Sequence, residues 1–134
     1  MHNMKRFEYN DGGRSRYFKG KVGDCVVRAG AIASGRDYKE VHNLAMEISG
    51  ESPRNGMDKK PCYELMKALG GVWHPTMKIG SGCKVHLKAE ELPKGRIVCN
   101  CSGHLVAVID GVINDIIQDD RNGTRCVYGY WVFK

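Results

Sequence analysis

The sequence predicts a single α+β domain in which helices come first and an antiparallel sheet follows. Between residues 25 and 69 the apolar residues recur at helical spacing, whereas after residue 72 short apolar runs alternate with turn residues. With 134 residues, 42% of them hydrophobic, the chain is long enough to bury one core. We expect residues 1–134 to form one domain, of which residues 1–22 are a basic N-terminal arm or loop with a strand near its start.

Three helices are predicted in the first half of the chain. The first covers residues 25–33, with Asp24 as its N-cap and a Ser-Gly pair as its end. The second begins after Asp37, which is also a good N-cap, and carries an apolar stripe at helical spacing. The third has Pro61 in its first turn and is closed by a Gly-Gly pair.

The second half is predicted to be β structure. Asp110-Gly111 stands between two apolar runs and predicts a two-residue hairpin of type I′. The predicted extended segments are 72–77, 84–87, 96–101, 104–109, 112–117 and 125–133.

Neither a membrane segment nor a secretion signal is predicted. No apolar run approaches the roughly 20 residues that a membrane helix needs, and the N-terminus lacks an apolar signal core. We therefore expect no membrane partner and a cytoplasmic location. In that compartment the six cysteines are expected to be free thiols rather than disulfides.

The net charge of +6 is the one strong bias of composition. Basic residues concentrate in residues 5–21 and recur at 59–60 and 84–88. A basic surface is compatible with nucleic acid or an acidic partner. Because neither an RNA-binding aromatic signature nor a helix-turn-helix pattern accompanies the charge, we favour a solvated surface that keeps the protein in solution.

Cys25 is the candidate nucleophile. At the first position of a helix, the helix dipole and the unpaired backbone N–H groups favour the thiolate, which is the reactive form. The backbone N–H of Cys25 can also donate to a developing oxyanion. The negative charge of Asp24 acts in the opposite direction, and a small buried structural cysteine is the alternative interpretation.

His104 opens the predicted hairpin and is the candidate base. A type I′ turn pairs Ile109 with Val112, and this register places Asp115 on the face of His104, diagonal to it. An acid there holds the imidazole in one tautomer and stabilises its charged form. Asn114 points to the opposite face and becomes the candidate only if the loop changes by one residue.

A metal site is the competing interpretation of this region. Cys99, Cys101 and His104 form a C-x-C-x-x-H pattern, which Cys83 or Cys126 would complete. Structural zinc prefers C-x2-C on a tight turn, whereas C-x-C on a strand points both thiols to one face and leaves the histidine out of phase. We therefore expect no metal and no cofactor.

At these residues the chain resembles the papain-like cysteine peptidase superfamily. The Asp-Cys pair before an apolar helix resembles bacterial cell-wall peptidases, and the His-Leu-Val-Ala-Val-Ile-Asp-Gly hairpin resembles leader-peptide peptidases of bacterial exporters. The chain as a whole is similar to small papain-like proteins of phages and prophages. The resemblance implies a nucleophile helix packed on a C-terminal antiparallel sheet, a Cys25, His104 and Asp115 triad, and a protein or peptide substrate in a host cytoplasm.

One position departs from the family pattern. Papain-like peptidases usually carry a glutamine six residues before the cysteine as an oxyanion donor, and this chain has Lys19 there. Loss of one such donor costs about a hundredfold or more in rate, so Lys19 and Asn10 are candidate substitutes. The predicted activity is a thiol-dependent peptidase or amide or isopeptide hydrolase. The alternative is a weak or inactive scaffold that binds and blocks a host protein or nucleic acid.

Overall fold

The computed structural model describes residues 6–134 and shows an α+β fold. Three helices lie on one face of a six-stranded sheet, and a second, two-stranded sheet contributes to the core on the other face. The helices are α1 (Cys25–Ser34), α2 (Tyr38–Ser49) and α3 (Lys59–Ala68). The strands are β1 (Phe7–Tyr9), β2 (Val72–Pro75), β3 (Val85–His86), β4 (Arg96–Cys101), β5 (His104–Ile109), β6 (Val112–Asp115), β7 (Cys126–Val127) and β8 (Gly129–Phe133).

Several helix ends follow local chemistry, but the N-cap residues of α1 and α3, Asp24 and Asp58, make no side-chain capping hydrogen bond. Gly35 ends α1 in the left-handed conformation, and the Asp37 carboxylate caps α2 by accepting from the backbone N–H of Lys39. Helix α3 begins two residues before Pro61. Asp24 stands at the N-cap position of α1 as predicted, but its side chain makes no capping hydrogen bond because it is paired elsewhere.

The strand order in the large sheet is β1-β6-β5-β4-β8-β2, and β3 pairs with β7. All pairs are antiparallel except β1 with β6, where Phe7 lies opposite Ile113 in parallel register. The observed sheet is therefore mostly antiparallel, whereas the sequence predicts a wholly antiparallel one. The segment predicted as one strand over 125–133 is split in two at Tyr128, and those over 72–77, 84–87 and 112–117 are shorter than predicted.

Two cores lie on either side of the large sheet. The helix side buries Val27, Leu65 and Trp131 completely or nearly so. The other side buries Ile97 and Val108, and the chain from residue 85 to 92 covers it. This separation fixes α1 against β5 and its neighbours, which is the contact that builds the site described below.

The N-terminal basic segment is part of the fold from Arg6 onward. It supplies β1 and a short 3-10 turn at Arg14–Arg16, and the Arg14 side chain is buried. Lys5, the first basic residue of the predicted arm, lies outside the described residues. The start of this segment is an edge strand of the large sheet because its backbone pairs with β6, and the rest is a packed loop.

The prediction of six free thiols is wrong for two of them. Cys83 and Cys126 form a disulfide that links the loop before β3 to the start of β7. The two residues are 43 positions apart, without a spacing motif, and the pairing of β3 with β7 brings them together. The other four, Cys25, Cys62, Cys99 and Cys101, are free.

In the described part of the chain, every helix is too short or too polar to span a bilayer.

Candidate active site

Cys25, His104 and Asp115 come together where α1 begins. Cys25 is the first residue of α1, His104 the first of β5 and Asp115 the last of β6. The Nε2 atom of His104 lies 2.7 Å from Oδ2 of Asp115. The imidazole also interacts with the Cys25 thiol closely enough to lower the pKa of Cys25, while Cys25 in turn raises the pKa of His104. His104 therefore lies between the thiol and the carboxylate.

The hairpin turn fixes the distance between His104 and Asp115. Asp110 and Gly111 both have positive φ, 48° and 82°, as a type I′ turn requires. The predicted pairing of Ile109 with Val112 is confirmed. The Asp110 carboxylate also accepts from the backbone N–H of Gly95 at 2.8 Å, which holds the turn against the preceding loop.

The Cys25 thiol is half-buried and has a lowered pKa. Burial alone raises the pKa of this thiol, but hydrogen bonds to the thiolate from His104 and from the backbone N–H of Leu105 outweigh it. The positive charges of His104 and Arg28 lower the pKa further. The site therefore favours the thiolate.

The His104 imidazole shifts in the complementary direction. The hydrogen bond to Asp115, and next that to Cys25, raises the pKa of His104 to about 9, although burial opposes the shift. Only 19% of the imidazole side chain and 5% of the Asp115 side chain are exposed, so water screens this pair weakly. Around neutral pH the raised pKa of His104 favours the imidazolium, and the lowered pKa of Cys25 favours a thiolate beside it.

Arg28 joins the nucleophile helix to the acid. Its Nη1 atom donates to Oδ1 of Asp115 at 2.8 Å, and its Nε atom donates to Oδ1 of Asp24, also at 2.8 Å. All three side chains are almost wholly buried. Both oxygens of Asp115 are therefore occupied, one by His104 and one by Arg28, so the carboxylate has one orientation.

Two more side chains, Arg14 and Tyr38, hold the Asp24 carboxylate. Its Oδ2 atom accepts from Nη1 of Arg14 at 3.2 Å and from the hydroxyl of Tyr38. Burial, and then the bond to Asp24, raises the pKa of Tyr38, so the phenol remains a proton donor. Asp24 thus serves as the centre of a buried ion network rather than as a helix cap.

The secondary candidates Asn114, Asn10 and Lys19 have surroundings that differ from those of the three residues above. Asn114 does not contact His104; its Oδ1 atom accepts from the Asn10 side chain at 3.1 Å, and its amide donates to the Val112 carbonyl. The Asn10 side-chain oxygen accepts from Gly12, so that amide is engaged at both ends. Lys19 is exposed at the rim of a cavity of about 380 Å³, which Asp24 and Arg28 also line.

The residues of the C-x-C-x-x-H pattern and the two cysteines that would complete it lie in different parts of the fold. Cys99 and Cys101 are buried in the core on the side away from the helices, where burial raises the pKa of Cys101 to about 11. Cys83 and Cys126 are bonded to each other. Within residues 6–134 no three His, Cys, Asp or Glu side chains are grouped for a metal.

A cleft of about 550 Å³ adjoins the site, although Cys25 and His104 are not among the residues that line it. Val26 and Leu105, the residues after Cys25 and His104, form part of its wall. Cys62 also lines it; burial, and then the charge of the nearby Cys25, raises the pKa of Cys62 to about 12. A substrate segment in this cleft would therefore lie next to the site.

Sequence reasoning missed Arg28 and the Leu105 N–H. A signal for Arg28 was present, because it is the one charged residue in the ten of α1. A lone arginine on an apolar helix is buried only when it is paired. The contact between Leu105 and the thiol has no sequence signal, since it depends on how α1 docks on β5.

No family model, no curated protein and no solved structure matches this chain.

Proposed function

We propose that this protein is a thiol-dependent peptidase or amide hydrolase, with Cys25 as nucleophile, His104 as proton carrier and Asp115 as the residue that orients it. One observation carries the proposal: His104 lies 2.7 Å from the Asp115 carboxylate and interacts with the Cys25 thiol, so the three side chains meet at one place. Opposite pKa shifts at Cys25 and His104 favour the reactive ion pair.

A papain-like architecture is part of the proposal. It is supported by the chain order, in which the helix that carries the cysteine precedes the sheet that carries the histidine and the acid. It is also supported by the packing of α1 against β5, which places the start of the helix at the start of the strand.

In the first half of the reaction, the Cys25 thiolate attacks the carbonyl carbon of an amide and forms a C–S bond. The carbonyl oxygen takes the negative charge, and the backbone N–H of Cys25 is available to it because the first N–H groups of a helix have no partner within it. The imidazolium of His104 then protonates the amine. The C–N bond breaks and leaves a thioester on Cys25.

In the second half, neutral His104 takes a proton from water, and the hydroxide attacks the thioester carbon. The C–S bond breaks, the carboxylic acid leaves, and the proton held by His104 restores the ion pair with Cys25. The role of Asp115 is to hold the imidazole ring and to stabilise the imidazolium in both halves.

Alkylation with iodoacetamide at pH 6, read by peptide mass mapping, tests the central claim. The other free thiols are internal controls, because burial raises the pKa of Cys62, Cys99 and Cys101. A thiol with a pKa near 9 is only about one part in a thousand thiolate at pH 6. We expect Cys25 to react at least about tenfold faster than each of the others, and His104→Ala to remove that advantage.

Uniformly slow alkylation of all four thiols would contradict the proposal and would favour the alternative, a scaffold that binds a protein without cleaving it. A host lysate then separates hydrolysis from binding. An enzyme leaves an acyl adduct on Cys25 that mass spectrometry identifies and that Cys25→Ala abolishes. A pure binder retains the same host protein in both forms.

A further inference from the structure

The cleft beside Cys25 has a specific chemistry. Tyr63 and Trp73 lie with ring centroids 5.0 Å apart, and Trp73 lies 4.5 Å from the buried Trp131. This packing makes the aromatic floor rigid, because Trp131 is only 1% exposed. Ile79 and Tyr128, which also line the cleft, leave large apolar side chains open to solvent. Such a surface gains free energy by covering itself with another apolar group.

The charged residues of the cleft have one sign. Lys59 and Lys78 line it, and no carboxylate does among the described residues. The Lys59 ammonium lies 5.8 Å from the Tyr63 ring, so it stands over the aromatic floor. Asp58, the neighbouring acid, lines a separate cavity. The cleft therefore offers an apolar floor with positive charge at its edge.

We infer that this cleft selects the substrate, and that it takes a peptide in which a large apolar side chain adjoins a carboxylate. The inference rests on the proposed function, since it assigns a substrate class to the same thiol. An aromatic side chain would cover the Tyr63 and Trp73 rings while the neighbouring acid meets Lys59 and Lys78. A basic residue in that place would meet like charge.

The probes are acyl dipeptide chloromethyl ketones. With these compounds the Cys25 thiolate displaces chloride, so one C–S bond forms, one C–Cl bond breaks, and a stable thioether marks the residue. The acidic aromatic probes are Glu-Phe and Phe-Glu. Lys-Phe and Phe-Lys test charge, and Glu-Gly and Gly-Glu test the apolar group. The measured quantity is the rate of mass gain at Cys25.

We expect the better acidic aromatic probe to react at least about tenfold faster than its glycine counterpart, from apolar burial. Exposed ion pairs are weak, so we expect each of Lys59 and Lys78 to raise the rate of the Glu-containing probe up to about fivefold above that of the Lys-containing probe. This charge preference shrinks in 1 M salt, whereas the aromatic preference remains. Lys59→Glu with Lys78→Glu reverses the charge preference, and Lys67→Glu, an exposed lysine of α3 outside the cleft, leaves it unchanged.

Iodoacetamide separates the two proposals, because it reports the thiolate without using the cleft. Selective alkylation of Cys25 together with equal rates for the Glu and Lys probes overturns the substrate class and leaves the hydrolase standing. A preference for the Lys probes, or an unchanged preference in the double lysine variant, overturns it as well. Unselective alkylation by iodoacetamide removes both proposals.

Discussion

Arg28 donates to Asp115 at 2.8 Å from within the helix that begins with Cys25. The nucleophile and the acid are therefore linked twice, once through His104 and once through this guanidinium. Because the second link runs through buried atoms, a shift of α1 relative to β6 would break an ion pair in a poorly solvated place. The link therefore fixes the geometry between helix and hairpin.

Replacing Arg28 with methionine should be strongly destabilising. The change removes the buried cation that joins Asp24 to Asp115 and leaves Arg14 and His104 as their remaining partners. Breaking a buried pair by removing one partner costs about 3–5 kcal/mol. Urea denaturation measures the free energy of unfolding. The matched control is Arg36→Met, which breaks an exposed pair with Glu40 and should cost less than about 1 kcal/mol. Equal losses in the two variants would show that the buried network does not stabilise the fold.

The Asp115→Asn variant should have a His104 with a lower pKa. The amide can still hydrogen-bond the ring, but the negative charge that raises the pKa to about 9 is removed. NMR titration of the imidazole protons measures this directly, without any substrate. Asp119→Asn, which removes an acid paired with Arg125, is the control and should leave the titration unchanged. A value near 9 in Asp115→Asn would assign the shift to another group.

The stabilisation that His104 provides should depend on pH. Its pKa is raised on folding, so the stabilisation is fully present below the unfolded value of 6.5 and is lost as pH rises through about 9. The opposite pKa shift of the Cys25 thiol would offset this change, so the measurement is made in a Cys25→Ala background. There the free energy of unfolding minus that of the variant with His104→Gln added should fall as pH rises from 6.5 to about 9. A difference that stays constant over this interval would contradict the raised pKa.

When the unmodified protein is unfolded in denaturant without reductant, titration with Ellman's reagent should find four free thiols. Cys83 and Cys126 account for the other two of the six cysteines. Chain entropy for a loop of 43 residues gives a stabilisation of about 4 kcal/mol, so Cys83→Ser should lower the melting temperature. Six thiols in the native protein, or an unchanged melting temperature on reduction, would show that this bond does not form in solution.

Gly129→Ala should be destabilising and should disturb the cleft. An added Cβ would lie 2.2 Å from the Trp73 ring, which cannot move aside because Tyr63 and Trp131 pack against it. Overpacking of this kind costs about 1–3 kcal/mol, and the tryptophan fluorescence should change. Gly23→Ala, where the nearest atoms are 3.7 Å away, is the control. Identical stability of the two variants would contradict the packing described for Trp73.

Much of the site could be predicted from sequence because its decisive element is local. The Asp110-Gly111 turn sets the register of one hairpin, and that register selects Asp115 over Asn114. The start of α1 at Cys25 is equally local, since it follows from an apolar segment and its flanking residues.

What the sequence could not predict depends on contacts between distant segments. The parallel pairing of Phe7 with Ile113 has no local signal, because neither strand specifies its partner. The bond between Cys83 and Cys126 depends on the same kind of pairing between β3 and β7. The pattern of a helix start predicts a cap at Asp24 and cannot show that Arg28 and Arg14 bind its carboxylate.

The edge strand β1 has a consequence for synthesis on the ribosome. The backbone N–H of Asn10 donates to the carbonyl of Asp115, so residues near the beginning of the chain help to fix an acid that emerges about a hundred positions later. Translation adds roughly 5–20 residues per second, which leaves Cys25 waiting several seconds for its histidine. During that interval it is an ordinary thiol, and a nascent chain carries no reactive sulfur until the hairpin has emerged.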